Sequence, residues 1–327
     1  MEAAKHIKLM ANIILTTDCQ RECSYCFAKE DRKKHVSFTI DSFKTAAKFI
    51  ATGSKSINLL GGEPTLHKDF ILMLEYLIAE DFMIQVFTNG MVSKETSRKI
   101  TNLLNGIALR ENQLFFAINI NEEKYRTAEE IELQTNFLKA FGKLVYPSFT
   151  IHDENTNLLF LIDLINKYDL DPTIRLGLAM PIASKSNKYL LPEHYTAVAS
   201  SIKDLSENSS DIKITLDCGF PLCMFTLDEI AELSQNKNND FAFICGHPLD
   251  IYPDLTVTNC FPLAHKYRDK ITNFSDINQL YKFLEDGFTA PIGIHGDMCR
   301  ECSFFKKACS GGCKGFLGFI DNDTKET

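Results

Sequence analysis

The cysteines of this 327-residue chain are divided between its two ends. Three lie close together near the start, and the long stretch from Phe27 to Asp217 contains none. Eight follow, namely Cys218, Cys223, Cys245, Cys260, Cys299, Cys302, Cys309 and Cys313. Small extracellular domains held by disulfides are short and carry evenly spread cysteines, whereas cysteines in a reducing cytosol are more often metal ligands. The eleven cysteines are therefore predicted to bind metal.

The first group is Cys19, Cys23 and Cys26, a C-x₃-C-x₂-C run that follows the first predicted strand. Three thiolates can hold one face of a [4Fe–4S] cluster, and because such a cluster has four irons, one iron stays open to another ligand. Zinc is the alternative, with His35 as a fourth ligand. A packing role for all three cysteines is the third interpretation.

The first two-thirds of the chain alternates β-branched or aromatic runs with amphipathic stretches, which indicates repeated βα units around a parallel sheet. Strands are predicted at 12–15, 56–60, 84–87, 114–120, 144–151 and 173–178, and helices at 40–51, 69–79, 93–104, 128–141 and 158–168. Thr127 and Glu130 form a capping-box pattern at the start of the fourth helix. The predicted fold class is α/β, a partial (βα)₆ barrel like part of a TIM barrel, whose chemistry lies at the carboxyl ends of its strands.

The pattern changes after about residue 190, and we place a domain boundary at 210, with a second domain over 211–327. A helix is predicted at 193–205, a strand at 212–216 and a hairpin between 251 and 258. Thr226 and Glu229 suggest one more capped helix. The remainder is rich in Gly, Pro and Cys, so we expect this C-terminal module to depend on bound metal for its stability.

The three-cysteine loop, with Tyr25 before its last cysteine, resembles the radical S-adenosylmethionine (SAM) superfamily. The resemblance extends to a GGEP motif after the second strand and to Thr88-Asn89-Gly90 after the third. The motif consists of Gly61, Gly62, Glu63 and Pro64. The resemblance covers about the first 200 residues. It implies that SAM binds the open iron and is cleaved reductively, and that the 5′-deoxyadenosyl radical then abstracts hydrogen from a substrate.

The resemblance also implies roles for individual residues in SAM binding. The two glycines would let the backbone approach the ligand, and Glu63 would accept a hydrogen bond from the methionyl ammonium. Thr88 belongs to the same binding region. Asn119 is a candidate for the ribose hydroxyls, and Arg175 for the SAM carboxylate. The alternative for these last two is that each satisfies a neighbouring loop.

The downstream cysteines resemble the SPASM/twitch extension, which holds one or two auxiliary iron–sulfur clusters in radical SAM enzymes that modify peptides. No cysteine follows Cys313, and Cys218 and Cys223 precede Cys245 by more than the pattern expects. Two clusters are possible if these two cysteines divide between them. By analogy, Cys313 would join Cys245, Cys260 and one of the two, and the other would join Cys299, Cys302 and Cys309. The alternatives are one cluster with free thiols that could donate a hydrogen atom, or structural zinc.

Asp217, directly before Cys218, is the carboxylate singled out as a catalytic base, because a substrate radical that passes an electron to a cluster loses a proton. Surface solvation or helix capping are the alternatives for this residue.

Charge and hydropathy limit the partners. A net charge of -8 and a pI near 5.6 argue against nucleic acid. The most apolar stretch, 158–165, is too short to cross a membrane, and no secretory signal is visible, so we expect a cytoplasmic protein. A radical SAM oxidoreductase needs an electron donor such as flavodoxin or ferredoxin.

The expected substrate is a ribosomally synthesised peptide that is cross-linked, oxidised or epimerised, and the alternative is a small metabolite. The first strand begins near residue 12, which leaves no room for a leader-binding domain in front of the barrel. Recognition of a leader would then need a separate protein. Two functions of other classes remain, an iron–sulfur electron carrier and a zinc-stabilised binding protein.

Overall fold

The computed structural model describes residues 11–182, 184, 186–217, 219–245, 249–264, 268–287 and 293–316. Its strands are β1 Ala11–Ile14, β2 Ser56–Leu60, β3 Met83–Thr88, β4 Leu114–Asn119, β5 Val145–Ile151, β6 Thr173–Leu178, β7 Lys213–Leu216, β8 Leu249–Ile251, β9 Thr256–Thr258 and β10 Arg268–Lys270. Its helices are α1 Ile40–Ile50, α2 Phe70–Ala79, α3 Lys94–Gly106, α4 Ala128–Phe141, α5 Phe160–Tyr168, α6 Tyr195–Glu207, α7 Leu227–Leu233, α8 Ile277–Gly287 and α9 Asp297–Glu301. None of the described helices is long and apolar enough to cross a bilayer.

The strands form one sheet in the order β10-β9-β8-β1-β2-β3-β4-β5-β6-β7. Strands β1 to β7 are parallel, and β8 pairs in parallel with β1 on its other side. The α/β class and the six strands predicted from the alternation are confirmed, with ends that differ by one residue at most. The strand predicted at 212–216 is also present, and it extends the same sheet as β7.

Local hydrogen bonds explain where several helices begin. The capping boxes predicted at Thr127 with Glu130 and at Thr226 with Glu229 are both present, at the starts of α4 and α7. In each, the threonine side chain accepts from the glutamate N–H, and the glutamate side chain accepts from the threonine N–H. Each pair satisfies two backbone donors that have no partner within the helix.

A contact between distant strands shows that the sheet is curved. The Arg175 guanidinium of β6 lies 4.6 Å from the ring centre of Phe87 on β3, although β4 and β5 separate the two strands. The face that carries these two side chains is therefore concave. The opposite face packs on the helices, as the edge-on contact of Phe116 with Phe137 of α4 illustrates.

The concave face is polar, unlike the apolar interior of most closed parallel barrels. One row of hydrogen bonds crosses three neighbouring strands: Asn58 donates to Asn12 over 2.8 Å, and Asn12 donates to Asp250 over 2.6 Å. All three side chains are buried. Register places Gln85 in the same row, two residues before Phe87 on β3, so the row faces the barrel interior.

The C-terminal segment is held by ordinary packing to a larger extent than its composition suggests. Strand β8 and helix α8 bury Leu249, Ile251, Ile277, Leu280 and Leu284 in the same core as the barrel. Apolar packing therefore contributes to the stability of this part of the module, and its dependence on metal stays a prediction. Residues 293–316 have less regular structure: the five-residue helix α9, a 3₁₀ helix at Lys314–Phe316, and otherwise turns and irregular chain.

Replacement of Asp250 by Asn should stabilise the protein more at pH 8 than at pH 5. Burial raises the pKa of Asp250 to about 7, the Asn12 hydrogen bond opposes the rise, and the charge of Asp217 adds to it. A carboxyl whose pKa is higher in the folded state than the unfolded value near 3.9 weakens folding as the pH rises from about 4 to 7. The measurement is the thermal midpoint of both proteins across this range, and a constant difference between them would contradict the expectation.

Candidate radical SAM site at the carboxyl edge of the sheet

The predicted three-cysteine loop begins directly beyond the carboxyl end of β1. Cys19, Cys23 and Cys26 are all partly accessible, and none forms a disulfide. The N–H of Arg21 lies 3.5 Å from the Cys19 sulfur, and the N–H of Cys26 donates to the carbonyl of Cys23 over 3.2 Å. The loop therefore folds back on itself and presents its thiols at the edge where the strands end.

The GGEP turn after β2 holds the backbone that leads into this loop. Gly62 donates to the carbonyl of Thr16 over 2.8 Å, and Glu63 donates to the carbonyl of Asp18 over 2.7 Å. A Cβ atom on Gly62 would lie 2.2 Å from the Asp18 carbonyl oxygen, and one on Gly61 would lie 2.3 Å from that of Thr16. These glycines thus permit a close approach to the chain's own backbone.

The Glu63 carboxylate is completely buried and joins two turns. Its Oε1 accepts from the hydroxyls of Thr65 (2.6 Å) and Thr88 (2.8 Å), and its Oε2 accepts from the N–H of Asn89 (2.8 Å). Burial raises the pKa of Glu63, and these hydrogen bonds act in the opposite direction. Pro64 is buried at the start of the same turn. The predicted SAM ligands Glu63 and Thr88 are therefore in contact with each other.

Tyr25 connects the loop to the ends of β4 and β5. Its hydroxyl donates to Asn121 over 3.1 Å, and its ring stacks on His152 with centres 4.4 Å apart. Its carbonyl accepts from the side chain of Asn187 over 3.3 Å. Sequence reasoning did not single out Asn121, His152 or Asn187, because only the fold brings these loops together.

Asn119 lies at the carboxyl end of β4 with one side-chain atom unsatisfied. Its Nδ2 donates to the hydroxyl of Thr150 over 3.3 Å, whereas its Oδ1 is buried without a hydrogen-bond partner among the described residues. A buried acceptor without a hydrogen bond lowers the free energy of unfolding by about 1–3 kcal/mol. A donor hydroxyl of a bound ligand would remove this cost.

Arg175 and Asp217, predicted as separate functional residues, form an ion pair. Arg175 also donates to the hydroxyl of Ser148 over 3.4 Å and covers the ring of Phe87. The side chains remain 24% and 39% exposed, so both are accessible at the edge of the concave face. The pair follows from the pairing of β6 with β7, because Arg175 lies on β6 and Asp217 directly follows β7.

The thiols of Cys223, Cys299, Cys302 and Cys309 form the first of two downstream groups. Burial raises the pKa of Cys223, and the nearby thiols of Cys309, Cys299 and Cys302 raise it further. The Cys309 sulfur accepts from the N–H of Leu222, the residue before Cys223, over 3.4 Å.

The second group contains Cys245, Cys260 and Cys313. Burial raises the pKa of Cys313 to about 12 and also raises that of Cys260 well above its usual range, and Cys245 contributes to both increases. The hairpin predicted between 251 and 258 is present as β8 and β9, and it carries Cys260 to this place. Cys218 lies outside the described residues.

The three-cysteine loop and the C-terminal segment meet at a pair of aromatic rings. Phe27, directly after Cys26, lies 4.8 Å from Phe261, directly after Cys260, measured between ring centres. The three-cysteine loop and the second downstream group are therefore neighbours across this contact.

Residues 13–110 match the radical SAM superfamily. The protein carries a radical SAM domain. Two curated relatives each match about a quarter of the chain. An S-adenosylmethionine-dependent nucleotide dehydratase of Selenomonas ruminantium is 35% identical over 24% of this chain and 29% of its own length. A 7-carboxy-7-deazaguanine synthase of Clostridium acetobutylicum is 33% identical over 26% of this chain and 39% of its own length. The chain thus matches well under half of either relative.

Solved structures extend the similarity of fold beyond the radical SAM domain. Streptococcus suis SuiB bound to S-adenosylmethionine has a TM-score of 0.66 at 15% identity, over 94% of this chain and 73% of SuiB. SuiB bound to its precursor peptide SuiA gives 0.66 at 14% identity, over 94% and 72%. At this identity the similarity establishes a shared fold, which includes the C-terminal cysteine-rich region.

A radical SAM domain implies a [4Fe–4S] cluster and SAM, and the residues of this site fit both. The loop offers three free thiols, the donors that iron–sulfur clusters prefer. Burial raises the pKa of Cys19 to about 11, so cluster binding would release a proton here. The unsatisfied oxygen of Asn119 suits a ligand hydroxyl. Among the described residues, no three His, Cys, Asp or Glu side chains converge on a single metal ion, and in a cube each cysteine binds a different iron.

His35 pairs with Asp18, and among the described residues it belongs to no group of three or more side chains that could hold a metal ion. Its Nδ1 lies 2.6 Å from a carboxylate oxygen of Asp18, and its side chain is 76% exposed. The zinc alternative therefore loses the residue that was suggested for it.

Replacement of Gly62 by Ala should loosen the three-cysteine loop, because the added Cβ would overlap the Asp18 carbonyl. Such overpacking costs about 1–3 kcal/mol. We expect a lower thermal midpoint and less iron retained by anaerobically prepared protein. Gly106→Ala is the matched control, since a Cβ at Gly106 meets no atom within 4 Å. Equal stability and equal iron in the two variants would refute the role of Gly62.

Proposed function

We propose that this protein is a radical SAM enzyme that cleaves SAM reductively and abstracts hydrogen from a ribosomally synthesised peptide, which becomes cross-linked, oxidised or epimerised. The observation that carries the proposal is the three-cysteine loop held by the GGEP turn next to the unsatisfied oxygen of Asn119. When bound, a [4Fe–4S] cluster supplies the electron that splits SAM into methionine and a 5′-deoxyadenosyl radical. Cys19, Cys23 and Cys26 would hold this cluster.

Other residues of the site position the ligands. Asn119 would accept a hydrogen bond from a ribose hydroxyl of SAM through the oxygen that has no other donor. Because Glu63 already accepts from Thr65, Thr88 and Asn89, its main contribution would be to fix the two turns around the ligand. Because the carboxylate is completely buried, a methionyl ammonium could reach its Oε2, which takes a single hydrogen bond from Asn89, only if the turn moved.

The ion pair gives Arg175 and Asp217 a joint role. Arg175 could bind the SAM carboxylate only by sharing or giving up its contact with Asp217. The arrival of SAM would then free the Asp217 carboxylate to accept a proton from the substrate. We propose that this exchange makes Asp217 available as a base only once SAM is bound.

We propose two auxiliary [4Fe–4S] clusters, one for each downstream thiol group. Cys223, Cys299, Cys302 and Cys309 already provide four thiols for the first. Cys245, Cys260 and Cys313 provide three for the second. Under this proposal Cys218 would be its fourth ligand, and Cys223 would belong to the first cluster.

Three broader expectations remain proposals. The barrel and the cysteine-rich module would divide at residue 210, although β7 and β8 both pair with the barrel sheet. A flavodoxin or ferredoxin would deliver the electron. The protein would work in the cytoplasm, where its thiols stay reduced.

A nucleotide is the second candidate substrate. The similarity of fold to SuiB, which was solved with a precursor peptide, extends over 94% of this chain and supports the peptide. The curated relatives support the nucleotide, since their names describe nucleotide and deazaguanine chemistry, but they match only about a quarter of the chain.

Replacement of Cys19, Cys23 and Cys26 together by Ala should abolish SAM cleavage and leave the downstream iron bound, because the two sets of cysteines lie on separate segments. The measurement is 5′-deoxyadenosine formed by dithionite-reduced protein. If the triple variant still forms 5′-deoxyadenosine, the proposed function is wrong.

A second experiment uses the parent protein with GTP and CTP as probes, and we expect neither nucleotide to accelerate the formation of 5′-deoxyadenosine. If a nucleotide accelerates the formation of 5′-deoxyadenosine, the substrate is a nucleotide and not a peptide.

Anaerobically reconstituted protein should contain about twelve irons per chain if each cysteine set holds one four-iron cube. The double variants Cys299→Ala/Cys302→Ala and Cys245→Ala/Cys260→Ala should each lose about four of them, and should lose different spectroscopic signals. A parent value near eight, with one double variant unchanged, would mean a single auxiliary cluster. A value near four with bound zinc would exclude auxiliary clusters altogether.

A further inference from the structure

A buried ion pair lies against the three-cysteine loop and has no part in the mechanism above. The Nε of Arg21 is 2.9 Å from a carboxylate oxygen of Glu130, and the two side chains are only 8% and 10% exposed. Arg21 belongs to the loop itself, between Cys19 and Cys23, whereas Glu130 lies in the first turn of α4.

Each partner is held in place by further contacts. Arg21 donates through Nη1 to the carbonyl of Asn119 over 3.0 Å, at the end of β4. Glu130 accepts from the N–H of Thr127 through its other oxygen over 3.0 Å. The pair is therefore fixed by β4 and α4, and the guanidinium has a defined position beside the loop.

Arg21 places a positive charge beside the thiols, because it lies between Cys19 and Cys23 and its own N–H is 3.5 Å from the Cys19 sulfur. Although burial lowers the pKa of Arg21, the charges of Cys23, Tyr25, Glu130 and Cys19 raise it overall. A guanidinium stays protonated in any case. Because the pair is removed from water, solvent and salt screen its charges much less than those of surface residues.

We propose that Arg21 and Glu130 set the reduction potential of the cluster held by Cys19, Cys23 and Cys26, and that they act in opposite directions. The inference rests on the proposed function, since it requires that cluster. Reduction adds one electron and therefore one negative charge to the cluster. A nearby positive charge favours the reduced form, so Arg21 raises the potential, and the negative charge of Glu130 lowers it.

The opposite signs separate this electrostatic role from a structural one. Arg21→Gln and Glu130→Gln both break the same ion pair, so a loop that is merely loosened responds to both in the same direction. Gln at position 130 can still accept from Thr127 and so keeps the capping box. If charge is what matters, the two variants shift the potential in opposite directions.

The experiment is an anaerobic titration of full-length holoprotein with dithionite as the electron donor, followed by electron paramagnetic resonance. The signal that changes on addition of SAM identifies the first cluster among the others. We expect a more negative midpoint for Arg21→Gln and a more positive one for Glu130→Gln. Shifts of the same sign, or no shift in either variant, would overturn the proposal.

Two further variants complete the test. Glu132→Gln removes a charge from the same helix, but this side chain is 62% exposed and pairs with Lys94, so we expect no shift. Arg21→Lys keeps the charge without the guanidinium geometry, and its midpoint should lie closer to the parent than that of Arg21→Gln. An Arg21→Lys protein that shifts as far as Arg21→Gln would show that geometry, not charge, is decisive.

The titration of the parent protein distinguishes a failure of the proposed function from a failure of the role proposed for the ion pair. If the parent has no SAM-sensitive reducible cluster, the proposed function fails before the variants are considered. If the parent titrates normally and Arg21→Gln and Glu130→Gln do not diverge, only the role of the ion pair fails.

Discussion

The site depends on the hydrogen bonds that join the turn after β2 to the backbone after β1. Gly62 and Glu63 donate to Thr16 and Asp18, and the buried Glu63 carboxylate then binds the turn after β3. Three successive strand ends are thereby fixed to one another. A loop of three cysteines has little structure of its own, so its thiols can be pre-arranged only if the chain on either side is rigid. The buried carboxylate is stable in this place because several donors replace the water it has lost.

Around this fixed centre, the concave face of the sheet offers polar groups rather than a packed apolar interior. Asn119 and the Arg175–Asp217 pair lie where the strands end, and the Asp250–Asn12–Asn58 row lies further from that edge. Buried polar groups are costly unless they are satisfied, which makes a polar interior typical of a surface that receives a ligand. The unpaired oxygen of Asn119 is the clearest sign of such a ligand in the described part of the chain.

The C-terminal segment consists of two parts that differ in how they pack. Residues 249–284 continue the barrel core with buried Leu and Ile side chains, and α8 packs close to the end of α1, where a Cβ at Gly53 would touch Ile277. Residues 293–316 instead bring cysteines together through turns. The Phe27–Phe261 contact joins this cysteine-rich part to the first loop. The first loop and the second downstream cysteine group are therefore close neighbours.

The sequence by itself determined the features that depend on near neighbours in the chain. Alternating apolar runs predicted the strands, the Thr127–Glu130 pattern predicted the start of α4, and the cysteine spacing predicted a metal-binding loop after β1. Tertiary structure alone decided which distant residues meet. Arg175 pairs with Asp217 because β6 lies beside β7, Arg21 meets Glu130 because α4 packs over the loop, and Cys223 joins Cys299 across a long stretch of chain. The glycines of the GGEP turn show the same limit: their small size is visible in the sequence, but the carbonyl groups that require it belong to the segment after β1. Local patterns reflect backbone geometry over a few residues, whereas these contacts depend on how the sheet curves and how its strands are ordered.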